Sequence, residues 1–190
     1  VLSTNGTLIT KEAAKKLREF NLSYVGVSLD GLKEVNNKFR GSEKAFDMAL
    51  EGIRNCMNEG IKVGLRFTIN KRNASEIPGI FNLMRKEGIP RICFYHLVYA
   101  GRGSKLIAED LSHEETRQVV DQIINETANL HKSGFPAEVL TVDNHADGVF
   151  LYQRMLREKH PRASEVLKLL QYNGGNSSGI GIACVSWNGD

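Results

Sequence analysis

Cysteine is scarce in this sequence, which argues against a disulfide-stabilised secreted protein. The 190 residues include three cysteines, at positions 56, 93 and 184. An odd number of cysteines makes a poor disulfide framework and fits a reducing cytoplasm. The sequence also lacks an apolar run of about 18 residues, so we expect no membrane-spanning segment. Its opening residues do not follow the pattern of a signal peptide.

Net charge is low, at +3, and no window forms a basic stripe of the kind that binds nucleic acid. The sequence contains no Ser/His/Asp arrangement, no His-Glu-x-x-His motif and no phosphate-binding P-loop. Hydrophobic content of 41% and charged content of 25% are ordinary for a globular domain. We therefore expect a folded protein with no nucleic-acid partner, whose reactive group comes from a bound cofactor.

What the sequence does contain is a regular succession of helices and strands. Apolar periodicity predicts strands over 24–29, 61–69 and 91–99, and helices over 10–20, 42–60 and 75–88. Ser42 is expected to cap the second of these helices. The strands start 37 and 30 residues apart, which is typical of strand–helix–strand units with parallel strands.

Polar and apolar residues alternate along the first two of these strands. Val25 and Val27 fall on one face of the first strand, whereas Gly26 and Ser28 fall on the other. A strand in an open doubly wound sheet is covered on both faces and is almost continuously apolar. A polar face open to solvent would explain the alternation, but we favour an α/β barrel whose polar face lines a lumen.

The pattern loosens after residue 103. Ser112 and Glu115 match a capping box, which predicts a helix through about Leu130. A further strand is predicted at "AEVLTVDN", followed by helices at about 148–159 and 164–170. The stretch "NGGNSSG" then marks a boundary before a last strand.

The two ends of the sequence favour a piece of a larger protein. The chain begins without Met and closes on "GIGIACVSWNGD", where an Asn-Gly turn has no second arm. Absence of the first strands would leave a sheet edge with unpaired backbone groups. We therefore expect self-association, as a homodimer that covers the exposed barrel edge.

Five stretches of the sequence, taken in order, resemble one family. They are "LSTNGTLIT", "YVGVSLDGL", "FRG", "GIKVGLRFTINKRN" and "FYHLVYAGRG". The series is similar to strands three to six of the partial (βα)6 barrel of the radical S-adenosylmethionine (SAM) enzymes. The resemblance implies an α/β fold with three parts: the C-terminal part of a TIM-like barrel over 1–135, a helical extension or linker over 136–173, and the start of an auxiliary iron–sulfur domain over 174–190.

The same resemblance implies a set of SAM-binding residues. Ser28 is similar to a serine that contacts the methionine part of SAM, and Arg40 to an arginine that pairs with the SAM carboxylate. A guanidinium fork suits a carboxylate, and the Gly-rich exit after residue 99 allows adenine to approach bare backbone. The full set is Thr4, Asn5, Ser28, Asp30, Arg40, Arg66, Leu97, Val98 and Tyr99.

Structural roles remain open for several of these positions. Arg40 also fits a solvated arginine between a turn and a helix, and Asp30 before Gly31 fits a common turn pair. His96 is more typical of a core histidine than of a catalyst. Cys56 and Cys93 have the pattern of packing residues.

The resemblance also implies [4Fe–4S] clusters, each of which normally takes four protein ligands. The family's C-x-x-x-C-x-x-C loop does not occur in this sequence. We therefore expect this chain by itself to bind no cofactor and to be inactive. Cys184 resembles the first ligand of an auxiliary cluster of the SPASM or twitch type, with its partners beyond Asp190 in the full-length protein.

Within the superfamily, "FYHLVYAGRG", "EVLTVDNHADG" and "GIGIACVSWNGD" look most like the enzymes of modified-haem biosynthesis (NirJ-like) and of the siroheme-dependent haem route. This implies an iron tetrapyrrole substrate, from whose carboxylate side chains a 5′-deoxyadenosyl radical abstracts hydrogen. Basic side chains are expected near one rim to meet those carboxylates: Lys62, Arg66, Arg72 and Arg102.

Two other functions remain open from the sequence. One is a peptide-modifying or sulfatase-maturing enzyme of the same superfamily. The other is a cluster-free module that binds a nucleotide or a tetrapyrrole without chemistry. Turnover of an iron tetrapyrrole would indicate the haem-biosynthesis enzyme, whereas turnover of a Cys/Ser peptide would indicate the peptide-modifying enzyme. Tight ligand binding by an intact gene product that lacks upstream cysteines would favour the binding module.

Overall fold

The chain folds into two compact units. The structure, a computed structural model, describes residues 1–175, 181 and 185, apart from the side chain of Arg102. The first unit runs from Val1 to Asp143, and the second begins at Asn144. The last predicted strand, the auxiliary domain and Cys184 lie outside the described residues.

A five-stranded sheet forms the centre of the first unit. Its strands pair in the order β1-β2-β3-β4-β5, and every pairing is parallel. The strands are β1 (Leu2–Thr4), β2 (Tyr24–Ser28), β3 (Lys62–Thr68), β4 (Arg91–Tyr95) and β5 (Glu138–Val142).

Helices connect these strands and follow them. In the first unit they are α1 (Lys11–Glu19), α2 (Lys33–Arg40), α3 (Ala45–Asn58), α4 (Ile77–Glu87) and α5 (His113–Lys132). Short 3₁₀ helices occupy Ala74–Glu76 and Gly101–Glu109. The second unit contains α6 (Ala146–Arg157) and α7 (Ala163–Asn173).

The sequential strand order distinguishes a barrel wall from a doubly wound sheet. Parallel crossovers are almost always right-handed, so a sheet that grows in one direction places its helices on one face. A doubly wound sheet reverses its strand order and carries helices on both faces. The prediction of an α/β fold with parallel barrel-type strands is therefore confirmed.

The core of the first unit lies between the sheet and the helices of that unit. Val25, Val27, Leu65, Phe67 and Phe94 are fully buried on the helix-facing side of the strands. Phe94 packs edge-on against Phe67 at 5.5 Å between ring centroids and stacks on Phe81 of α4 at 5.8 Å. The residues that alternate with these apolar side chains lie on the opposite, lumen face of the sheet.

Helix ends follow local sequence signals in two cases. The Thr10 hydroxyl accepts a hydrogen bond from the Ala13 N–H at 3.2 Å and caps α1. The predicted capping box of α5 is confirmed, because Ser112 and Glu115 bond each other's backbone N–H groups. These caps satisfy N–H groups that have no partner within the helix.

Other boundaries were predicted wrongly. Ser42 does not cap α3, which begins at Ala45 with Lys44 in the N-cap position. Strand β4 ends at Tyr95 rather than at Tyr99, and the Gly-Arg-Gly stretch opens a 3₁₀ helix. Helix α2 was not predicted at all. The chain thus leaves the sheet earlier than its apolar run suggests, and Leu97, Val98 and Tyr99 lie in the connection after β4.

Candidate functional site

A large cleft opens at the carboxyl ends of β2, β3 and β4. Its volume is about 690 Å³, within the range of small-molecule sites, about 300–1,000 Å³. Loops after three strands supply most of its wall, together with the end of α2. Its lining is Ser28, Asp30, Lys38, Phe39, Arg40, Arg66, Thr68, Arg72, Tyr95, His96, Leu97, Val98, Gly103, Lys105, Leu106 and Asp143.

A smaller cavity of about 380 Å³ adjoins this cleft and shares Ser28 and Arg40 with it. The loop after β1 and the start of α3 complete the smaller cavity. Its residues are Asn5, Thr7, Ser28, Asn36, Arg40, Ser42, Ala45 and Met48. Ser28 and Arg40 therefore connect two neighbouring ligand-sized spaces.

Asp30 and Arg40 form the central ion pair of the site. The Asp30 side chain is 2% exposed, and one of its oxygens accepts a bond from the Arg40 guanidinium, whose side chain is 29% exposed. The other oxygen accepts the Thr68 N–H at 2.8 Å. Burial raises the pKa of the Asp30 carboxyl, with Arg40 and the Thr68 N–H acting in the opposite direction. The pair fixes the end of α2 against the end of β3.

Three buried asparagines hold the strand ends together around this pair. Asn36 accepts the Asp30 N–H at 3.0 Å, and the Asn73 amide donates to the carbonyls of Asp30 and Thr68 at 3.1 and 2.9 Å. Asn73 also accepts the Asn70 N–H at 2.9 Å. Sequence reasoning missed this network. The available signal was the Asn-x-x-Asn spacing directly after a strand, typical of side chains that bond a turn backbone.

Glycines on the lumen face make room for large side chains. A Cβ at Gly26 would lie 2.9 Å from the Arg66 Cδ, and one at Gly64 would lie 2.3 Å from the Tyr24 hydroxyl. The Arg66 guanidinium lies 4.4 Å from the centroid of the Tyr95 ring. Arg66 is thereby held flat across the sheet on the floor of the cleft, as expected for its predicted place on the polar face.

Tyr95 and Cys93 share this lumen face. Burial and, next, a hydrogen bond with Cys93 raise the pKa of Tyr95 to about 12, so the phenol stays protonated at neutral pH. Cys56 is buried in the core of the first unit, as its pattern suggested. Cys93 is buried too, but it alternates with Ile92 and Phe94 and faces the lumen. Cys93 is thus buried, as expected of a packing residue, but it is not part of that core.

Seven of the nine residues implied to bind SAM line one or both cavities. The larger cleft contains six of them: Ser28, Asp30, Arg40, Arg66, Leu97 and Val98. The smaller cavity adds Asn5. Thr4 and Tyr99 line neither cavity. The Thr4 hydroxyl accepts the Gly6 N–H at 3.1 Å, and the exposed Tyr99 hydroxyl donates to Asp110.

Of the basic residues that were expected at one rim, two line the cleft and Lys62 does not. Arg66 and Arg72 line the cleft, and Arg72 pairs with Glu109 at 2.6 Å. Lys62 is the first residue of β3, four positions before Arg66 and at the opposite end of the strand, so its expected place was wrong. Lys38 and Lys105, which sequence reasoning missed, line the cleft instead.

Possible metal ligands are not clustered in the described part of the chain. Among the described residues there is no group of three or more His, Cys, Asp or Glu side chains that could hold a metal ion. An iron–sulfur cluster therefore does not fit any set of residues in the described part of the chain. A long apolar helix that could cross a bilayer is likewise not found in that part.

Sequential parallel strands and a polar cleft at their carboxyl ends define a partial-barrel domain whose cleft has the size of a small-molecule site. Residues 1–84 match the family model described as the Radical SAM superfamily. Residues 1–84 therefore form part of a radical SAM domain.

Two curated relatives resemble the whole chain. Fe-coproporphyrin III synthase of Methanosarcina barkeri is 67% identical over 189 residues, covering 100% of this chain and 47% of that protein. Pre-heme d1 synthase of Dinoroseobacter shibae is 40% identical over 192 residues, again covering 100% of this chain and 47% of the relative. The chain thus spans about half the length of the curated relatives it matches.

A solved structure shows the same fold at low sequence identity. Native anSMEcpe with bound AdoMet superposes with a TM-score of 0.61 and 19% identity, covering 73% of this chain and 38% of that one. At this identity the likeness concerns the fold alone. The resemblance stated from the sequence is confirmed at the level of the radical SAM domain.

Proposed function

We propose that the full-length protein carrying this chain is a radical SAM enzyme of haem or modified-haem biosynthesis. It acts on carboxylate side chains of an iron tetrapyrrole in the cytoplasm. The observation that carries the proposal is the 67% identity to Fe-coproporphyrin III synthase across the whole chain. A cleft with five cationic and two acidic side chains, suited to an anionic substrate, supports it.

The smaller cavity fits the amino-acid part of SAM. Asn5, Ser28 and Arg40 offer it an amide, a hydroxyl and a guanidinium, the groups that bind an amine and a carboxylate. Leu97 and Val98 in the adjoining cleft offer apolar surface for adenine. Asn5, Ser28 and Arg40 would hold SAM, which would supply radical hydrogen-abstraction chemistry after one-electron reduction by a cluster bound outside these residues.

This chain contributes the binding and orienting groups rather than the clusters. The ligands of a catalytic [4Fe–4S] cluster would have to come from outside these residues, since the sequence contains no C-x-x-x-C-x-x-C loop. Cys184 remains our candidate ligand for an auxiliary cluster in the full-length protein. The described residues hold the substrate and the SAM carboxylate and keep them adjacent through Ser28 and Arg40.

The SAM site is tested by Arg40→Ala in the full-length protein. Loss of a charged hydrogen bond should weaken SAM binding by about tenfold or more, measured by calorimetry. Lys33→Ala, which removes an exposed cation of the same helix, is the control and should leave the affinity unchanged. Equal SAM affinity of the Arg40 variant and the unaltered protein would remove Arg40 from the site.

The reaction class is tested by incubating the reduced full-length protein with SAM and either an iron tetrapyrrole or a Cys/Ser peptide. We expect 5′-deoxyadenosine, detected by mass spectrometry, to form in response to the tetrapyrrole. A response to the peptide alone would replace the proposal with a peptide-modifying enzyme. Tight tetrapyrrole binding with no 5′-deoxyadenosine would favour a cluster-free binding module.

A further inference from the structure

The larger cleft carries positive charge that the ion pairs of the fold do not neutralise. Five of its lining residues are cationic, Lys38, Arg40, Arg66, Arg72 and Lys105. Arg40 pairs with Asp30, and Arg72 pairs with Glu109. Within the described part of the chain, Lys38, Arg66 and Lys105 form no ion pair with a carboxylate. The remaining acid of the lining is Asp143, at the far end of β5.

These three cations come from three separate elements that converge on one space. Lys38 lies on α2, Arg66 on β3 and Lys105 on the 3₁₀ helix after β4. Arg66 is fixed on the floor by Tyr95, at 4.4 Å from the ring centroid, whereas Lys38 and Lys105 are exposed at the rim. A rigid guanidinium below and two flexible ammonium groups above suit a ligand with several carboxylates.

We propose that Lys38, Arg66 and Lys105 form a carboxylate-receiving subsite that is separate from the Arg40 position. The inference rests on the proposed function, because it takes the occupant of the larger cleft to be a tetrapyrrole with ionised side chains. Arg40 is held by buried Asp30 and faces both cavities. The other three cations line only the larger one. The subsite therefore binds carboxylates of the substrate, whereas Arg40 binds the carboxylate of SAM.

The test compares the full-length protein with its Lys38→Ala/Lys105→Ala variant. Both residues are exposed, so the substitutions leave the fold intact. The probe is Fe-coproporphyrin III, the compound named as the product of the 67% identical relative, which carries several carboxylate side chains; the matched probe with uncharged side chains is its methyl ester. Binding is followed by the shift of the porphyrin absorption band. We expect the double variant to bind the acid about tenfold or more weakly and to bind SAM unchanged.

The control variant is Lys62→Ala, on the same strand as Arg66 but at its opposite end. It removes an exposed lysine without touching the cleft, and it should bind the acid like the unaltered protein. The ester should bind the unaltered protein about as weakly as the acid binds the double variant. Added salt should weaken binding of the acid more than that of the ester.

The possible failures can be told apart. If the unaltered protein does not bind the acid, the proposed tetrapyrrole function is overturned together with the subsite. If the unaltered protein and the double variant bind the acid equally, or if acid and ester bind equally, only the subsite is overturned. A loss of SAM affinity in the double variant, or an equal loss in Lys62→Ala, also overturns it.

Discussion

At the residue scale, Arg40 has two tasks that its chemistry allows it to combine. A guanidinium carries five N–H donors in a fixed plane, and Asp30 engages one of its terminal nitrogens. Arg40 also lines both cavities. The buried carboxylate therefore holds the arginine in place, and direct contact of Asp30 with SAM remains a prediction from the sequence.

Replacing Arg40 by Met keeps most of the apolar stem and leaves buried Asp30 without its counter-ion. We expect the free energy of unfolding to fall by about 1.5–3 kcal/mol at neutral pH. Arg40 lowers the pKa of Asp30 against the effect of burial, so its loss raises that pKa further above the unfolded value. A carboxyl group whose pKa is raised in the folded state stabilises the fold at pH values below its pKa in the unfolded chain. This contribution is lost as pH rises through the pKa of the folded state.

The difference from the unaltered chain should therefore be small below about pH 4 and grow toward neutral pH. Urea unfolding followed by circular dichroism at several pH values measures it. Lys33→Met removes the exposed pair with Asp47 and should cost less than about 1 kcal/mol. A loss for Arg40→Met that is the same at about pH 4 and pH 7 would contradict this account of the pair.

At the element scale, the contact between α3 and the loop after β1 depends on Gly52. A Cβ at this helical position would lie 2.3 Å from the Gly6 carbonyl oxygen. Gly6 itself has a φ of +74°, a conformation that glycine adopts without strain. Because this loop also carries Asn5, the close approach sets one wall of the smaller cavity.

Gly52→Ala should destabilise the protein, although alanine is the better helix former by about 1 kcal/mol. The clash is with backbone, which cannot rotate away, and overpacking of this kind typically costs about 1–3 kcal/mol. Thermal or urea unfolding measures the change. The neighbouring exposed Glu51→Ala should stay within about 0.5 kcal/mol. A Gly52→Ala variant that is more stable than the unaltered chain would show that the loop moves freely.

Element types were predictable where a local signal exists, and boundaries failed where it does not. The capping box of α5 and the alternation in β2 and β3 are visible in neighbouring residues. The end of β4 is not, because the apolar run continues past Tyr95 while ladder pairing with β5 ends at the Tyr95–Val142 pair. Helix α2 has a mostly polar sequence, "KEVNNKFR", and lacks the wide apolar stripe that identifies a helix.

At the scale of the whole molecule, the two edges of the sheet are the places where a second chain could add a strand. Within the described part of the chain, β1 pairs with β2 alone and β5 with β4 alone. Such edges present backbone groups that another strand can pair with. We propose that this chain self-associates through the β1 edge, although β1 has only three residues and the contact is correspondingly short.

Sedimentation velocity across micromolar concentrations measures this association, and we expect the mass to rise with concentration. Ser3→Lys places a charge on the exposed middle residue of β1 and should reduce the association, since lysine on an edge strand opposes pairing. Ser23→Lys, exposed but before β2, should have no effect. A monomer at every concentration would rule out the edge contact.

The sequence by itself determined the parallel α/β barrel wall, the polar lumen face and most of the predicted residues that line the two cavities. These features follow from periodicity, connection lengths and family resemblance, all of which are carried by residues near each other in the chain. Only the tertiary structure decided that Asp30 holds Arg40, that Asn73 joins β2 to β3, and that Lys38 and Lys105 share a cleft. Those contacts join residues from separate elements. Which residues meet depends on the order and register in which the strands pair, and no local sequence pattern encodes these.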